Sequence, residues 1–211
     1  MEFILFKILG YDVSVVELVG TIAGLLSVWF AAKNNILTWP TGILNVVCFF
    51  FIFRTTGLFS DMFLQVYFFV VAIYGWYYWK RVSAESAASI SILSSRSRVI
   101  LLLITSVFSV LIGGIMTQIH LWLPSFFTQP AAWPFVDTFV AVASVVANTL
   151  MARKKIESWI MWIVIDVLAT FIYYQKGIFL ISAEFLIFTV LAIFGLMNWA
   201  KLMKNQPDSM L

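Results

Sequence analysis

Asn45, Gln65, Asn148, Asp166 and Glu184 are polar side chains set inside stretches that are otherwise apolar and aromatic. Asn45 sits near the centre of WPTGILNVVCFFFIF (39–53), and Asp166 lies within WIMWIVIDV (159–167). Amides donate to and accept from sugar hydroxyls. Flat rings such as Trp162 offer a stacking face, and a ring cation gains from that face and from nearby carboxylates. This mixture suits a cavity for a cationic aromatic ligand that carries hydroxyls. It does not suit covalent catalysis. The chain has one histidine, His120, in an outer loop, and one cysteine, Cys48. Paired-histidine haem ligation, an intramolecular disulfide and a cysteine metal site are therefore excluded. No Ser/His/Asp set can be assembled at membrane depth, so the reading is of a protein that is not an enzyme and needs no cofactor.

The elements that must position these residues are membrane helices. Of the 211 residues 63% are hydrophobic and 11% charged, with a mean hydropathy of +1.01. A soluble domain cannot bury that much apolar surface. Apolar runs recur at 14–32, 36–53, 59–79, 98–119, 133–151, 157–174 and 178–200. Each approaches the ~20 residues that cross a ~30 Å hydrocarbon core as a helix. Seven transmembrane helices are predicted, the second and sixth on the short side. Continuous apolar runs also argue against a β-barrel, whose strands alternate. Cys48 reads as a small packing residue of the second helix. MEFILFKILGYD (1–12) is too short in its apolar part for a signal peptide and reads as an interfacial segment on the outer surface.

Lysine and arginine placement gives the orientation. Lys33, Lys80, Arg81, Arg96, Arg98, Arg153, Lys154, Lys155, Lys201 and Lys204 fall on one side, and Lys7, Arg54 and Lys176 on the other. The rich side is cytoplasmic, which puts the N-terminus outside and the C-terminus inside. The net charge of +3 is thus a topology signal and implies no nucleic-acid partner.

An internal repeat appears at an offset of 120. Trp39 falls on Trp159, Gly57 on Gly177, Gly75 on Gly195, Trp79 on Trp199 and Arg81 on Lys201. The fold class expected is an all-α integral membrane protein: two parallel three-helix repeats joined by a linker helix, 3+1+3. Repeat one spans 17–81, the linker helix 98–119 and repeat two 137–201. Parallel repeats relate by an axis along the membrane normal and place a substrate site between them near the midplane. The linker helix carries a stripe of small residues, Ser106, Ser109, Gly113 and Thr117, suited to close packing in lipid. SAESAASISILSSRSR (83–98), ahead of it, reads as a polar cytoplasmic linker.

Spacings of three and four put polar residues on single helix faces. The sixth helix aligns Trp159, Trp162, Asp166, Thr170 and Tyr173; the fifth Asp137, Ala141, Ser144 and Asn148; the seventh Glu184, Leu191 and Asn198. Counting ~1.5 Å per residue from the helix ends, Asn45 and Asp166 fall near mid-membrane, with Gln65, Ser144, Asn148 and Glu184 within about two turns. A carboxylate there costs ~2.5–3.5 kcal/mol and should face the bundle interior. Glu17, Asp61 and Asp137 begin helices on the outer side, where a carboxylate favours the macrodipole. Trp76, Trp79, Trp159 and Trp199 lie toward the cytoplasmic interface, where tryptophans anchor.

GILN (42–45), LQVYFFVVAIYGWYYW (64–79), PFVDT (134–138), WIMWIVIDV (159–167) and the EFL of the last helix resemble the PnuC family of bacterial vitamin transporters. The resemblance covers nearly the whole chain as one membrane domain, 1–211, with a 3+1+3 architecture similar to the SWEET sugar transporters. It implies a location in the bacterial inner membrane and uptake of nicotinamide riboside by facilitated diffusion, followed by trapping through a cytoplasmic kinase. It also implies a homo-oligomer, a trimer, among membrane lipids. Carried onto this chain, the substrate-binding residues are Asn45, Gln65, Asn148, Trp162, Asp166 and Glu184. Trp39, Tyr74, Trp76, Trp79, Trp159, Tyr173 and Asn198 are expected to support the site or its inner gate, with Asn45 near Asp166. Where some relatives carry an amide, this chain has Asp166. Thiamine, riboflavin, proton coupling through Asp166 and Glu184, and a vitamin-binding protein that does not transport stand as the alternatives.

Overall fold

The computed structural model describes residues 4–8, 11–55, 59–84, 90–125, 127, 130, 133–175, 177 and 179–206. A short antiparallel ribbon, β1 (Ile4–Ile8) and β2 (Tyr11–Ser14), precedes seven helices. These are α1 (Val15–Ala32), α2 (Thr38–Thr55), α3 (Phe59–Ala84), α4 (Ser95–Trp122), α5 (Pro134–Ala152), α6 (Glu157–Gln175) and α7 (Phe179–Lys204). All seven are long and apolar enough to cross a membrane. The N-terminal segment expected to lie at the outer interface takes the form of this ribbon. Pairing two strands satisfies their backbone groups mutually, which a lone extended segment cannot do. Its last residue, Ser14, caps α1 by accepting the Glu17 N–H at 3.1 Å.

Two compact units divide the chain, Met1–Ala88 and Ser89–Leu211, so α4 belongs with α5–α7. In the first unit α1 packs on α2 and α2 on α3. Missing side chains make the α1–α2 approach possible. A Cβ on Gly20 would stand 2.9 Å from the Cys48 Cβ, and one on Gly42 would stand 3.0 Å from Ser27 Oγ. Ser27 Oγ then donates to the Thr38 carbonyl at 2.8 Å, a direct bond between the two helices. Cys48 is a buried packing residue, as expected.

In the second unit neighbours in sequence again pack in order, α4 on α5, α5 on α6 and α6 on α7. The contact stripe of α4 is Thr105, Ser109 and Gly113, all buried, while Ser106 is exposed. These residues recur every four positions and lie on one face of the helix, with Thr105 in the place expected for Ser106. Gly113 lets the Phe135 ring of α5 approach to where a Cβ would stand at 2.6 Å. Ser94 lengthens α4 beyond its apolar run by capping it, its Oγ accepting the Ser97 N–H at 3.2 Å. At the other end of the unit Ser182 Oγ donates to the Thr170 carbonyl at 2.8 Å and joins α7 to α6.

The turns after α1 and α5 have the same construction, 120 positions apart. Asn34 and Lys154 both take the left-handed conformation, each at φ 53°. Asn34 N–H bonds the Ala31 carbonyl and Asn35 N–H the Phe30 carbonyl, both at 2.8 Å. Lys154 to Met151 (3.0 Å) and Lys155 to Leu150 (2.9 Å) repeat that pattern. These are the paired bonds of a Schellman motif, which satisfy the last carbonyls of each helix. Each turn then delivers a tryptophan to the next helix pair. The Trp39 ring lies edge-on to Trp79 at 5.4 Å and 88°, and Trp159 to Trp199 at 5.6 Å and 85°. All four are buried, so Trp79, Trp159 and Trp199 are core residues and not interfacial anchors. The space for each leading ring is a glycine. A Cβ on Gly75 would stand 2.4 Å from Trp39 ring carbons, and one on Gly195 would stand 2.6 Å from Trp159.

Two outcomes follow from this packing. Gly75→Ala and Gly195→Ala force a methyl into a buried ring and each should cost about 1–3 kcal/mol. Adding Trp39→Leu to Gly75→Ala should cost less than the two single changes combined, as read from unfolding in detergent micelles. Lys154 is buried in its turn, and loss of hydration pulls its ammonium from 10.5 down to about 8. Between pH 8 and 10.5 the unfolded chain therefore holds a proton that the native turn has released, and stability rises with pH. Relative to Lys154→Asn, the native protein should gain roughly 1–3 kcal/mol across that window in unfolding titrations.

Candidate functional site

In the first unit the mid-helix amide of α2 is committed to packing. Asn45 Nδ2 donates to the Gly20 carbonyl of α1 at 2.9 Å. A Cβ on Gly24 would meet the same nitrogen at 2.7 Å, so the amide occupies a notch made by two glycines one turn apart. Its Oδ1 has no bond to a described residue. Gln65 is half-buried on α3 and its amide likewise has no partner among the described residues.

The expected gate residues of α3 point in different directions. Trp79 is buried against Trp39, Tyr74 stacks on Tyr78 at 6.0 Å, and Trp76 is exposed. Two residues of a helix separated by two positions lie on nearly opposite faces. Tyr74 and Trp76 therefore face away from one another.

The second unit brings more of the candidates into one column. Along α6, Trp159 packs on Trp199, and Trp162 packs against Ala143, Ala147 and Ile165. Asp166 follows, 4% exposed. Its carboxylate has neither a hydrogen bond nor an ion pair to any described residue, while its backbone carbonyl accepts the Thr170 hydroxyl at 2.7 Å. Tyr173, one turn beyond, stacks on Phe185 of α7 at 5.5 Å and 7°. Asn148 is half-buried on α5 with no hydrogen bond to a described residue. Glu184 and Asn198 are half-buried on α7, and each is engaged in an interaction.

Three buried polar groups, one in the first unit and two in the second, have no side-chain partner among the described residues. Asp166 supplies a carboxyl group without a side-chain partner among the described residues, and its buried charge is costly unless a proton, a cation or a ligand answers it. Trp39 and Trp159 supply the other two, since the indole N–H of each is buried without a partner among the described residues. Sequence reading missed Glu157, the first residue of α6. It is buried and binds Arg98 Nε and the Leu93 N–H, both at 2.9 Å. Only the capping pattern Ser94-x-x-Ser97 signalled order near that place.

The profile of the nicotinamide mononucleotide transporter family matches residues 14–201. The nicotinamide riboside transporter PnuC of Escherichia coli K12 is 35% identical over 207 residues, spanning 90% of this chain and 87% of that protein. The riboflavin/roseoflavin transporter RibM of Streptomyces davaonensis is 25% identical over 188 residues, 87% and 83% of the two chains. A crystal structure of the vitamin B3 transporter PnuC superposes with a TM-score of 0.67 at 21% identity, over 90% of this chain and 82% of that one. Seven apolar helices in this order, a buried carboxylate between aromatic residues, and likeness along nearly the whole length lead to one conclusion. The chain is a multi-pass membrane protein of the nicotinamide mononucleotide transporter family, to which PnuC belongs.

Proposed function

We propose that this chain carries nicotinamide riboside across the membrane by facilitated diffusion. Asp166 is the observation that supports this substrate best. It is a buried carboxylate with no protein partner among the described residues, and nicotinamide riboside is a pyridinium cation bearing a ribose. Riboflavin, the cargo named for one relative, has an uncharged ring and would leave Asp166 unanswered. Trp162 supplies a neighbouring aromatic face, and Gln65, Asn148 and Asn45 Oδ1 are amide groups available to hydroxyls. Asn45 has a double role in this reading, since its nitrogen ties α2 to α1.

The proposal includes two parallel three-helix repeats joined by α4. Support comes from the turn, the tryptophan pair and the glycine that recur at an offset of 120. It also includes a cytoplasmic C-terminus, supported by the lysine and arginine asymmetry, assembly as a homo-oligomer, and trapping of the vitamin by phosphorylation in the cytoplasm.

Calorimetry on purified protein tests the site. Nicotinamide riboside should bind, and Asp166→Asn should weaken it about tenfold or more, the loss of one charge-assisted contact. Asn45→Ala should lower stability by about 0.6–1.7 kcal/mol through the lost interhelical bond. Unchanged affinity in Asp166→Asn would overturn the role of the carboxylate. Preferential binding of riboflavin or thiamine would move the substrate.

A further inference from the structure

The described part of the serine-rich segment before α4 packs on a neighbouring turn. From Ile90 to Ser94 it lies as a strap along the turn between α5 and α6. Ser91 and Lys155 form a parallel bridge, with Ser91 N–H on the Lys154 carbonyl at 3.1 Å and Ile156 N–H on the Ser91 carbonyl at 3.0 Å. Lys155 Nζ adds a bond to Ser91 Oγ at 2.7 Å. The Leu93 N–H then reaches Glu157 Oε1 at 2.9 Å, and Arg98, in the first turn of α4, reaches the same oxygen at 2.9 Å. Ile90 is buried, and the Gln206 amide beyond α7 can close on its carbonyl (3.2 Å) and N–H (3.0 Å). The segment thus joins α4, the α5–α6 turn and the tail of α7.

Among the described residues the other Schellman turn has nothing comparable. At the position matching Glu157 stands Leu37, whose N–H is capped locally by Asn35 Oδ1 at 2.9 Å. The strap therefore belongs to α6 in particular, the helix that carries Trp159, Trp162 and Asp166. A carboxylate bonded to both a backbone N–H and a guanidinium fixes position with direction as well as charge. Its other oxygen is buried and unpartnered, so rotating the carboxylate gives no gain within the chain.

We infer that Glu157 is a positioning residue: held by the strap, it locks the first turn of α6 to α4 and so sets where Trp162 and Asp166 meet the substrate. The substrate part of this inference rests on the function proposed above. The strap stays closed through the transport cycle, and the α4–α7 unit moves as one body at this end.

Three readouts test it in full-length protein in lipid nanodiscs or liposomes. In Glu157→Ala, amide exchange at Leu93 and in the first turn of α6 should quicken at least tenfold, with Glu157→Gln between the two because its amide oxygen still accepts the Leu93 N–H. In flux assays the KM for nicotinamide riboside should rise severalfold in Glu157→Ala, less in Glu157→Gln, with Vmax within about twofold. Loss of folded protein alone would lower Vmax and leave KM in place. Third, a Ser91→Cys/Lys155→Cys pair in a Cys48→Ser background, closed by an added oxidant, should transport within about twofold of its reduced form. Arrest on closing the disulfide would overturn the inference and make the strap a gate. Unchanged exchange in Glu157→Ala would overturn it whatever the substrate proves to be. Failure of the native protein to bind or move nicotinamide riboside would sink the function instead, while the exchange readout still decides whether Glu157 holds α6.

Discussion

Hydrocarbon offers a polar group no hydrogen-bond partner, and this constraint orders the two helical units. Donors and acceptors inside the spans turn inward to the chain. Asn45 spends its amide nitrogen on the Gly20 carbonyl, Ser27 its hydroxyl on Thr38, and Ser182 its hydroxyl on Thr170. Thr105, Thr138, Thr149, Thr170 and Thr189 lie in spans as well, and the last four bond their own helix four residues back. Against that background the carboxylate of Asp166 stands out. It is buried as deeply as the core residues around it and is left without a partner among the described residues. Most span hydroxyls find a carbonyl of the chain, and a buried carboxylate costs more to leave unanswered than the Thr105 hydroxyl or the Trp39 and Trp159 indoles.

Close approach is the second consequence of the same solvent. Lipid tails are as apolar as leucine, so helices gain from packing and not from escaping water. Glycines provide the approach: Gly20 and Gly42 between α1 and α2, Gly113 between α4 and α5, Gly75 and Gly195 beneath tryptophan rings. The last two let a tryptophan ring lie against bare backbone in each unit. A turn of fixed geometry launches each tryptophan, the ring lies on a bare backbone, and a second tryptophan closes on its edge. Trp39 and Trp159 are thereby buried with indole N–H groups that have no partner among the described residues.

Much of this was legible in the sequence because lipid imposes a simple code. Helix number and order follow from the apolar runs, while α2 and α6, expected to be the short spans, are no shorter than α1 and α5. What stayed hidden depends on contacts distant in sequence. Trp79 and Trp199 look like interfacial anchors until Gly75 and Gly195 are seen to admit their partner rings into the core. That the Asn45 nitrogen ties α2 to α1 is invisible until the Gly20 carbonyl is placed beside it. Glu157 looks like a surface charge at a helix start, yet its partners Leu93 and Arg98 lie 64 and 59 positions away. The N-terminal ribbon escaped notice because its strands of 5 and 4 residues are too short for period alone to separate strand from interfacial helix.

The central claim is that this chain moves a cationic pyridine nucleoside, with Asp166 answering its charge. Uptake of labelled nicotinamide riboside into liposomes containing only the purified protein tests it most directly, with unlabelled nicotinamide riboside, thiamine and riboflavin as competitors and no ion gradient imposed. The account predicts saturable equilibrating flux, blocked by unlabelled nicotinamide riboside, little affected by riboflavin, and sharply reduced by Asp166→Asn. Binding without flux, or flux that Asp166→Asn leaves unchanged, would contradict it.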